Sequence, residues 1–209
     1  LGGDDSLDGG NGVDLANFEY VGASGTVVAD LGAGVATATD VYWSGVSTLV
    51  DIEGVIGGGG ADTLTGSSGD DVLHGGGGGD LLYGGDGDDT LFGEGHLGFG
   101  ASGGDDVIYG GAGDDVYVFD GASASSSSYL FDDQGDGTLT VFDAASGETD
   151  TLVDIERYAV EDGSGGLIFI RPMELVGTEF DDVIVGYESD ETLLGLGGDD
   201  TLLGLGGDD

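Results

Sequence analysis

The clearest pattern of apolar and polar positions has a period of nine and runs over residues 57–92. Cut into nines, this stretch reads GGGGADTLT, GSSGDDVLH, GGGGGDLLY and GGDGDDTLF. Each nine fits G-G-x-G-x-D-x-U-x, where U is a large apolar residue, and Ser67 is the one departure. The sixth column is always Asp (Asp62, Asp71, Asp80, Asp89) and the eighth always Leu (Leu64, Leu73, Leu82, Leu91). A Gly- and Asp-rich composition alone would scatter Asp over all nine columns. The pattern predicts a six-residue turn followed by a three-residue strand, x-U-x. Strand side chains alternate, so such a strand points one side chain inward and two outward. Two nines then make one coil of a flattened solenoid with strands on two faces, and coils stack at about 4.8 Å, the ordinary strand spacing.

The rest of the chain departs from this register and returns to it. Residues 1–17 hold a truncated nine and then GGNGVDLAN, with Asp5 and Asp14 in the sixth column. Over 18–56 the alternation has a period of two and is rich in Val and Thr, which predicts strands with a turn at residues 32–34. The string LVDIE occurs at 49–53 and again, unchanged, at 152–156, each time after a strand-like segment. Residues 93–100, GEGHLGFG, contain no Asp and either fill a repeat slot badly or loop out. Two better nines follow, with Asp106 and Ile108 and then Asp115 and Tyr117 in the diagnostic columns. SASSSS at 123–128 reads as a flexible loop open to proteolysis. Residues 129–173 alternate again, and 177–209 carry degenerate nines in which Glu191 replaces the sixth-column Asp. Five segments result: 1–17, 18–56, 57–118, 119–176 and 177–209. No segment keeps apolar residues at helical spacing over ten positions. The fold class expected is all-β, a parallel β-roll of nonapeptide repeats with wider β coils between the repeat blocks.

Charge changes the picture. Lys plus Arg amount to 2 against 43 Asp plus Glu, for a net charge of −41. Self-repulsion on this scale opposes compaction, and the uncompensated chain is expected to be disordered. Nucleic acid and anionic membrane surfaces are disfavoured partners, because phosphates need basic residues. No apolar run reaches the roughly 18 residues of a transmembrane helix. A solvating acidic tail would explain the charge but not a nine-residue register. Stacked coils place Asp62 over Asp80 and Asp71 over Asp89, and carboxylates that close repel unless a cation lies between them. Calcium, a hard ion taking roughly 6–8 oxygen ligands, suits the gap. The chain has no Cys and two His, so zinc lacks its preferred ligands. The absence of Cys also fits a protein that avoids disulfide chemistry during export.

These nines resemble the RTX family, the haemolysin-type calcium-binding repeats of secreted bacterial proteins. The handover from one nine to the next is part of what the resemblance implies: one turn gives its second and fourth carbonyls with its Asp, and the turn stacked above gives its first and third with its own. Carried over, one site joins Gly58, Gly60 and Asp62 to Gly75, Gly77 and Asp80, and another joins Ser67, Gly69 and Asp71 to Gly84, Asp86 and Asp89. A tail site joins Thr178, Phe180 and Asp182 to Gly195, Gly197 and Asp200. Asp14, Asp106 and Asp115 belong to the same ligand column. The fifth-column Asp70, Asp88, Asp105, Asp114, Asp181 and Asp199 are expected to face solvent. LVDIE segments are expected to continue the solenoid, and the aromatic strand after Asp115 to close a block. His74, in the ninth column, should point outward. No nucleophile motif stands out among the abundant Ser and Asp, so the segment is read as non-catalytic. Aromatics such as Tyr20, Tyr42 and Trp43 are read as core residues before a sugar platform, and Arg157 and Arg171 as partners of nearby carboxylates.

The resemblance further implies a secreted, extracellular or cell-surface protein that binds several calcium ions, exported by type I secretion machinery and folding outside the cell. The chain begins and ends inside a repeat, so a segment of a longer protein is expected. The full protein is then either a secreted enzyme with this segment as folding appendage or a large surface adhesin with it as a stalk.

Overall fold

The computed structural model describes residues 3–41, 44–94, 103–119, 129–133, 138–143, 147–161, 167–170, 174–176, 183–185, 192–194 and 201–203. Every regular element among them is a strand. In chain order these are β1 (Ser6–Asp8), β2 (Leu15–Asn17), β3 (Thr26–Asp30), β4 (Val35–Thr39), β5 (Ser44–Val50), β6 (Gly54–Ile56) and β7 (Thr63–Thr65). There follow β8 (Val72–Gly76), β9 (Leu81–Asp86), β10 (Thr90–Glu94), β11 (Val107–Ala112), β12 (Val116–Phe119), β13 (Tyr129–Asp133) and β14 (Thr138–Asp143). The last are β15 (Thr149–Val153), β16 (Arg157–Glu161), β17 (Leu167–Ile170), β18 (Glu174–Val176), β19 (Val183–Val185), β20 (Thr192–Leu194) and β21 (Thr201–Leu203).

The chain divides into two units, Leu1–Ile170 and Arg171–Asp209. In the first, two sheets face each other across the apolar column. One has the order β1-β5-β4-β3-β7-β9-β11-β15-β14-β13, the other β17-β16-β12-β10-β8-β6-β2. Consecutive strands from β5 to β12 that leave one sheet enter the other, so the chain winds as a β-roll. Leu64 pairs in parallel with Leu82 and Leu73 with Leu91, 18 residues apart, which is two nines to the coil. Eighth-column residues meet in the middle: Leu64, Leu82, Ile108 and Leu152 from one sheet, Val55, Leu73, Leu91 and Tyr117 from the other, all essentially inaccessible. Burying one such side chain contributes about 1.5–3 kcal/mol. One large residue per nine nevertheless makes a thin core.

The spacing between partners changes once along the stack. Leu82 pairs with Ile108 and Leu91 with Tyr117, 26 residues apart instead of 18. Eight residues more than two nines therefore separate these partners; Gly93 and Glu94 end β10, where Glu94 pairs with Gly76, and residues 95–100 lie outside the described residues. Both LVDIE copies continue the coil, as expected: β5 leads to β6 through residues 51–53, and β15 leads to β16 through 154–156. Residues 26–50 instead widen the first sheet. β3, β4 and β5 form an antiparallel meander, flanked by parallel contacts to β7 and β1. At the other end, β12 does not close the stack. β16 pairs with it in parallel, Phe119 against Val160, and only then do antiparallel strands follow: β17 on one sheet, β14 and β13 on the other. The aromatics Tyr117, Phe119 and Tyr158 lie together there, with an edge-to-face contact at 4.8 Å between the first two.

The outward residues differ between the sheets. On the first they are half-buried or exposed, as with Thr63, Leu81 and Tyr83. On the second, Phe92, Val116, Val118 and Ala159 are buried in an apolar cluster of their own, joined by Val72. His74 points outward as its column requires, but it is only 6% exposed and stacks on Phe92 at 3.9 Å. Tyr20, read as a core aromatic, is 86% exposed in a turn. Tyr42, Trp43, His96, Arg171 and residues 123–128 lie outside the described residues.

The second unit repeats the same register in miniature. β18 pairs with β20 and β19 with β21, in parallel, Leu175 against Leu193 and Ile184 against Leu202.

Candidate metal centres

Each nonapeptide turn sits so close to the next that a side chain has no room in its first column. A Cβ on Gly84 would lie 2.5 Å from the Gly110 carbonyl oxygen and 2.2 Å from Oδ2 of its own turn's Asp89. The second column adds a conformational demand. Gly85 has φ +122°, which L side chains seldom adopt, and a Cβ there would meet Ser67 O at 2.3 Å. Glycine is thus what lets backbone carbonyls and carboxylates of successive turns share one narrow space.

Into that space the strands deliver the sixth column. Asp62, Asp71, Asp80, Asp89, Asp106 and Asp115 are each at most 3% exposed. They stack as the sequence predicts. The Asp62 N–H donates to Asp80 Oδ1 at 2.8 Å and the Asp80 N–H to Asp106 Oδ1 at 2.7 Å. On the opposite edge, the Asp71 N–H donates to Asp89 Oδ1 at 2.8 Å and the Asp89 N–H to Asp115 Oδ1 at 2.9 Å. Oδ1 of Asp80, Asp89, Asp106 and Asp115 is thereby fixed in place, and the Val27 N–H fixes Oδ1 of Asp62. The other oxygen faces the gap between turns. Oδ2 of Asp89, Asp106 and Asp115 is buried with no hydrogen-bond donor, and so is Oδ2 of the half-buried Asp14. Asp62 and Asp71 differ, since their Oδ2 atoms accept from Gly58 and Ser67 N–H within their own turns.

Such burial is unfavourable to the ionised form. Desolvation pushes the Asp62 carboxyl up to about 6 and Asp89 up to about 7, with the neighbouring Asp115 and Asp71 charges adding to the second. Desolvation and then the Asp150 carboxylate push Asp106 up to about 9, against the lowering hydrogen bond from the Asp80 backbone. Asp71 and Asp115 are raised for the same leading reason. A buried anion without a donor needs a cation.

Of the carbonyl donors named from the resemblance, Gly58, Gly60, Gly75, Gly77 and Gly84 are buried, Ser67 is half-buried, and Gly69 and Asp86 are exposed. Gly58 O accepts the Gly77 N–H at 3.0 Å and keeps a second lone pair. Among the described residues no three His, Cys, Asp or Glu side chains form a metal-holding group. The groups that line these gaps are carboxylates and backbone carbonyls, an all-oxygen set that fits a hard ion such as calcium better than zinc. Thr178, Phe180, Asp182, Gly195, Gly197 and Asp200, the expected tail site, lie outside the described residues.

Three carboxylates of the ladders were not anticipated. The Asp106 N–H donates to Asp150 Oδ1 at 3.1 Å, the Asp115 N–H to Glu156 Oε2 at 2.9 Å, and the Asp14 N–H to Glu53 Oε2 at 3.0 Å. The signal available was a carboxylate two places before a buried apolar residue: Asp150 before Leu152, Glu156 before Tyr158, Glu53 before Val55. Burial raises Asp150 to about 6, while Asp106 N–H and the Tyr117 hydroxyl, 2.8 Å from its Oδ2, act the other way. The fifth-column Asp70, Asp88, Asp105 and Asp114 are exposed, as expected. Asp70, Asp88 and Asp114 form an outer ladder, Asp88 N–H to Asp70 and Asp114 N–H to Asp88, both at 3.0 Å, which ends at Arg157, 2.7 Å from Asp114.

A two-sheet roll whose glycine turns stack buried Asp columns is the architecture of a calcium-binding repeat module. Residues 56–95, 101–122 and 176–209 match the RTX calcium-binding nonapeptide repeat, with four copies. Among solved structures, the extracellular lipase LipA from Serratia marcescens is similar at 23% identity and a TM-score of 0.42, over 70% of this chain. The chain spans 28% of the length of that lipase. No curated protein matches the chain.

Proposed function

We propose that this chain is a calcium-dependent folding module of a secreted bacterial protein: disordered while calcium is scarce, and wound into a roll after export. The supporting observation is the buried Oδ2 atoms of Asp89, Asp106 and Asp115, which face the gaps between turns without a donor. The ions are held by Gly58, Gly60 and Asp62 with Gly75, Gly77 and Asp80, and by Ser67, Gly69 and Asp71 with Gly84, Asp86 and Asp89. Asp14, Asp106 and Asp115 extend the same column, and the tail pairs Thr178, Phe180 and Asp182 with Gly195, Gly197 and Asp200. Calcium supplies the positive charge that lets stacked carboxylates stay ionised in a dry gap. The role is structural: a thin core needs a staple, and binding free energy becomes folding free energy. Extracellular modules bind calcium at about 10⁻⁴ to 10⁻³ M, a range that separates the cell interior from its surroundings. Any catalytic or adhesive activity of the full-length protein belongs to other segments.

Circular dichroism and hydrodynamic radius test this directly. In excess chelator the chain should be expanded with little strand signal. Millimolar calcium should bring both strand signal and compaction, and equal magnesium should not, since magnesium holds its waters and demands tighter octahedral geometry. A compact β structure in chelator at neutral pH overturns the reading.

A further inference from the structure

The two LVDIE turns share a geometry that the nonapeptide rule does not describe. In each, the chain crosses from one sheet to the other with three residues fewer than a nonapeptide turn. Asp51 and Asp154 make this possible. They are the non-glycine residues at positive φ among those described, at +48° and +51°. Asp tolerates the left-handed region better than most residues because its short side chain can bond locally. Ile52 and Ile155 pack against the core beside them.

Each short turn lies directly on a nonapeptide turn that precedes it in the chain. Leu15 pairs with Gly54 and Val116 with Arg157, so Asp14 lies under Glu53 and Asp115 under Glu156. The short turn fills two slots of a normal upper turn. In the carboxylate slot, Glu53 and Glu156 accept the Asp14 and Asp115 N–H at 3.0 and 2.9 Å, as Asp115 accepts the Asp89 N–H at 2.9 Å. The extra methylene of Glu makes up for the shorter backbone. In the first-column carbonyl slot stand Asp51 O and Asp154 O. A Cβ on Gly9 would lie 2.2 Å from the one and a Cβ on Gly110 2.0 Å from the other, just as a Cβ on Gly66 would lie 2.0 Å from Gly84 O. Independently, the carboxylates beneath have an oxygen with no donor: Oδ2 of the fully buried Asp115, and the enclosed Oδ2 of Asp14.

We propose that each LVDIE turn completes a calcium site with the nonapeptide turn beneath it: Asp115 and turn 110–115 with Asp154 O and Glu156, and Asp14 and turn 9–14 with Asp51 O and Glu53. These are hybrid sites, half repeat and half short turn. The short turn has no counterpart of the second- and fourth-column glycines, so it serves the turn below and offers nothing equivalent to a turn above. LVDIE therefore ends a run of calcium sites while filling the last one. This rests on the calcium reading above.

The test is an anomalous difference map from crystals of the calcium-bound chain with terbium exchanged for calcium. Peaks are expected at Asp62–Asp80 and Asp71–Asp89, and in addition beside Asp115–Glu156 and Asp14–Glu53. Peaks at the first pair of positions with none at the second overturn the hybrid sites and leave the module's calcium reading standing; an empty map overturns both. In solution, equilibrium dialysis with calcium should show the E53Q/E156Q chain binding two ions fewer than the parent. A charge-matched D8N/D88N chain, altered at exposed positions, should bind the parent's number. Equal stoichiometry in E53Q/E156Q and parent overturns the proposal. If E53Q/E156Q does not recover strand signal in calcium, the map on the unaltered chain decides.

Discussion

At the scale of single residues, what matters is whether a carboxylate lies in the sixth column or beside it. Asp80 is 2% exposed and stacked between Asp62 and Asp106, whereas its fifth-column counterpart Asp88 lies in the solvent-facing ladder. Asp80→Ala should therefore raise the calcium midpoint of folding several-fold more than Asp88→Ala, although each removes one charge. Equal midpoints in parallel calcium titrations would mean that bulk charge and not register governs folding. The same burial sets a pH dependence for the calcium-free chain. Asp106 faces Asp80, Asp150 and Glu148, and its carboxyl is pushed from the ordinary 3.8 to about 9; Asp89 is pushed to about 7. A group raised on folding binds its proton more tightly in the folded chain, so protonation favours folding. That stabilisation is complete below 3.8 and is lost as pH rises, through about 7 at Asp89 and about 9 at Asp106. In chelator, then, the chain should be more compact at about pH 5 than at about pH 8. Asp106→Asn, a mimic of the protonated acid, should compact at higher pH than the parent. A hydrodynamic radius that stays constant between those pH values counts against this account.

At the scale of the element, the short turn is the most demanding piece. Asp154 at φ +51° is a position where a β-branched side chain is strained by roughly 1–2 kcal/mol. Asp154→Val should lower the denaturant midpoint of the calcium-saturated chain accordingly, while the same change at the exposed Asp88 should have little effect; no difference between the two would sink the claim that the left-handed turn is required. The turns also show where the sequence was readable. The nine-residue columns were legible because glycine, Asp and Leu each answer to a separate local demand: positive φ and close approach, charge in the gap, and a filled core. LVDIE was legible as a repeat and as part of the coil. Its Glu was not legible as a rung of the carboxylate ladder, because no glycines precede it and its slot is defined only by pairing with Asp14 or Asp115, far away in sequence. Likewise, alternation over 26–50 marked strands, but not that three of them form a meander within one sheet. Strand partners are chosen by long-range register, which local periodicity does not contain. For the same reason the spacing of 26 residues between partners on either side of 93–100 was not readable before the pairing was seen.

At the scale of the whole molecule, solenoid stability is a sum of coil terms and nearest-neighbour contacts. The two units differ sharply in both. Among the described residues, Leu1–Ile170 has seventeen strands, β1 to β17, in two sheets, with the continuous ladders from Asp62 to Asp150 and from Asp71 to Glu156. Among the described residues, Arg171–Asp209 has four strands in two pairs, and its nines carry bulky turn residues and Glu191 where the larger unit has glycine and Asp. With fewer rungs to share the ordering entropy, the smaller unit should need more calcium before it folds. Each tenfold excess of free calcium over a dissociation constant adds about 1.4 kcal/mol per bound ion. A weaker unit is therefore displaced along the calcium axis and does not simply unfold. We expect two steps in a calcium titration, with amides of 57–118 gaining hydrogen-exchange protection at several-fold lower calcium than those of 177–209. Limited proteolysis at the intermediate plateau should cut within 123–128 and within 177–209 and spare 57–118. Simultaneous protection of both regions at one calcium concentration would show that the repeats fold as a single cooperative roll, with the division at Ile170 carrying no energetic meaning.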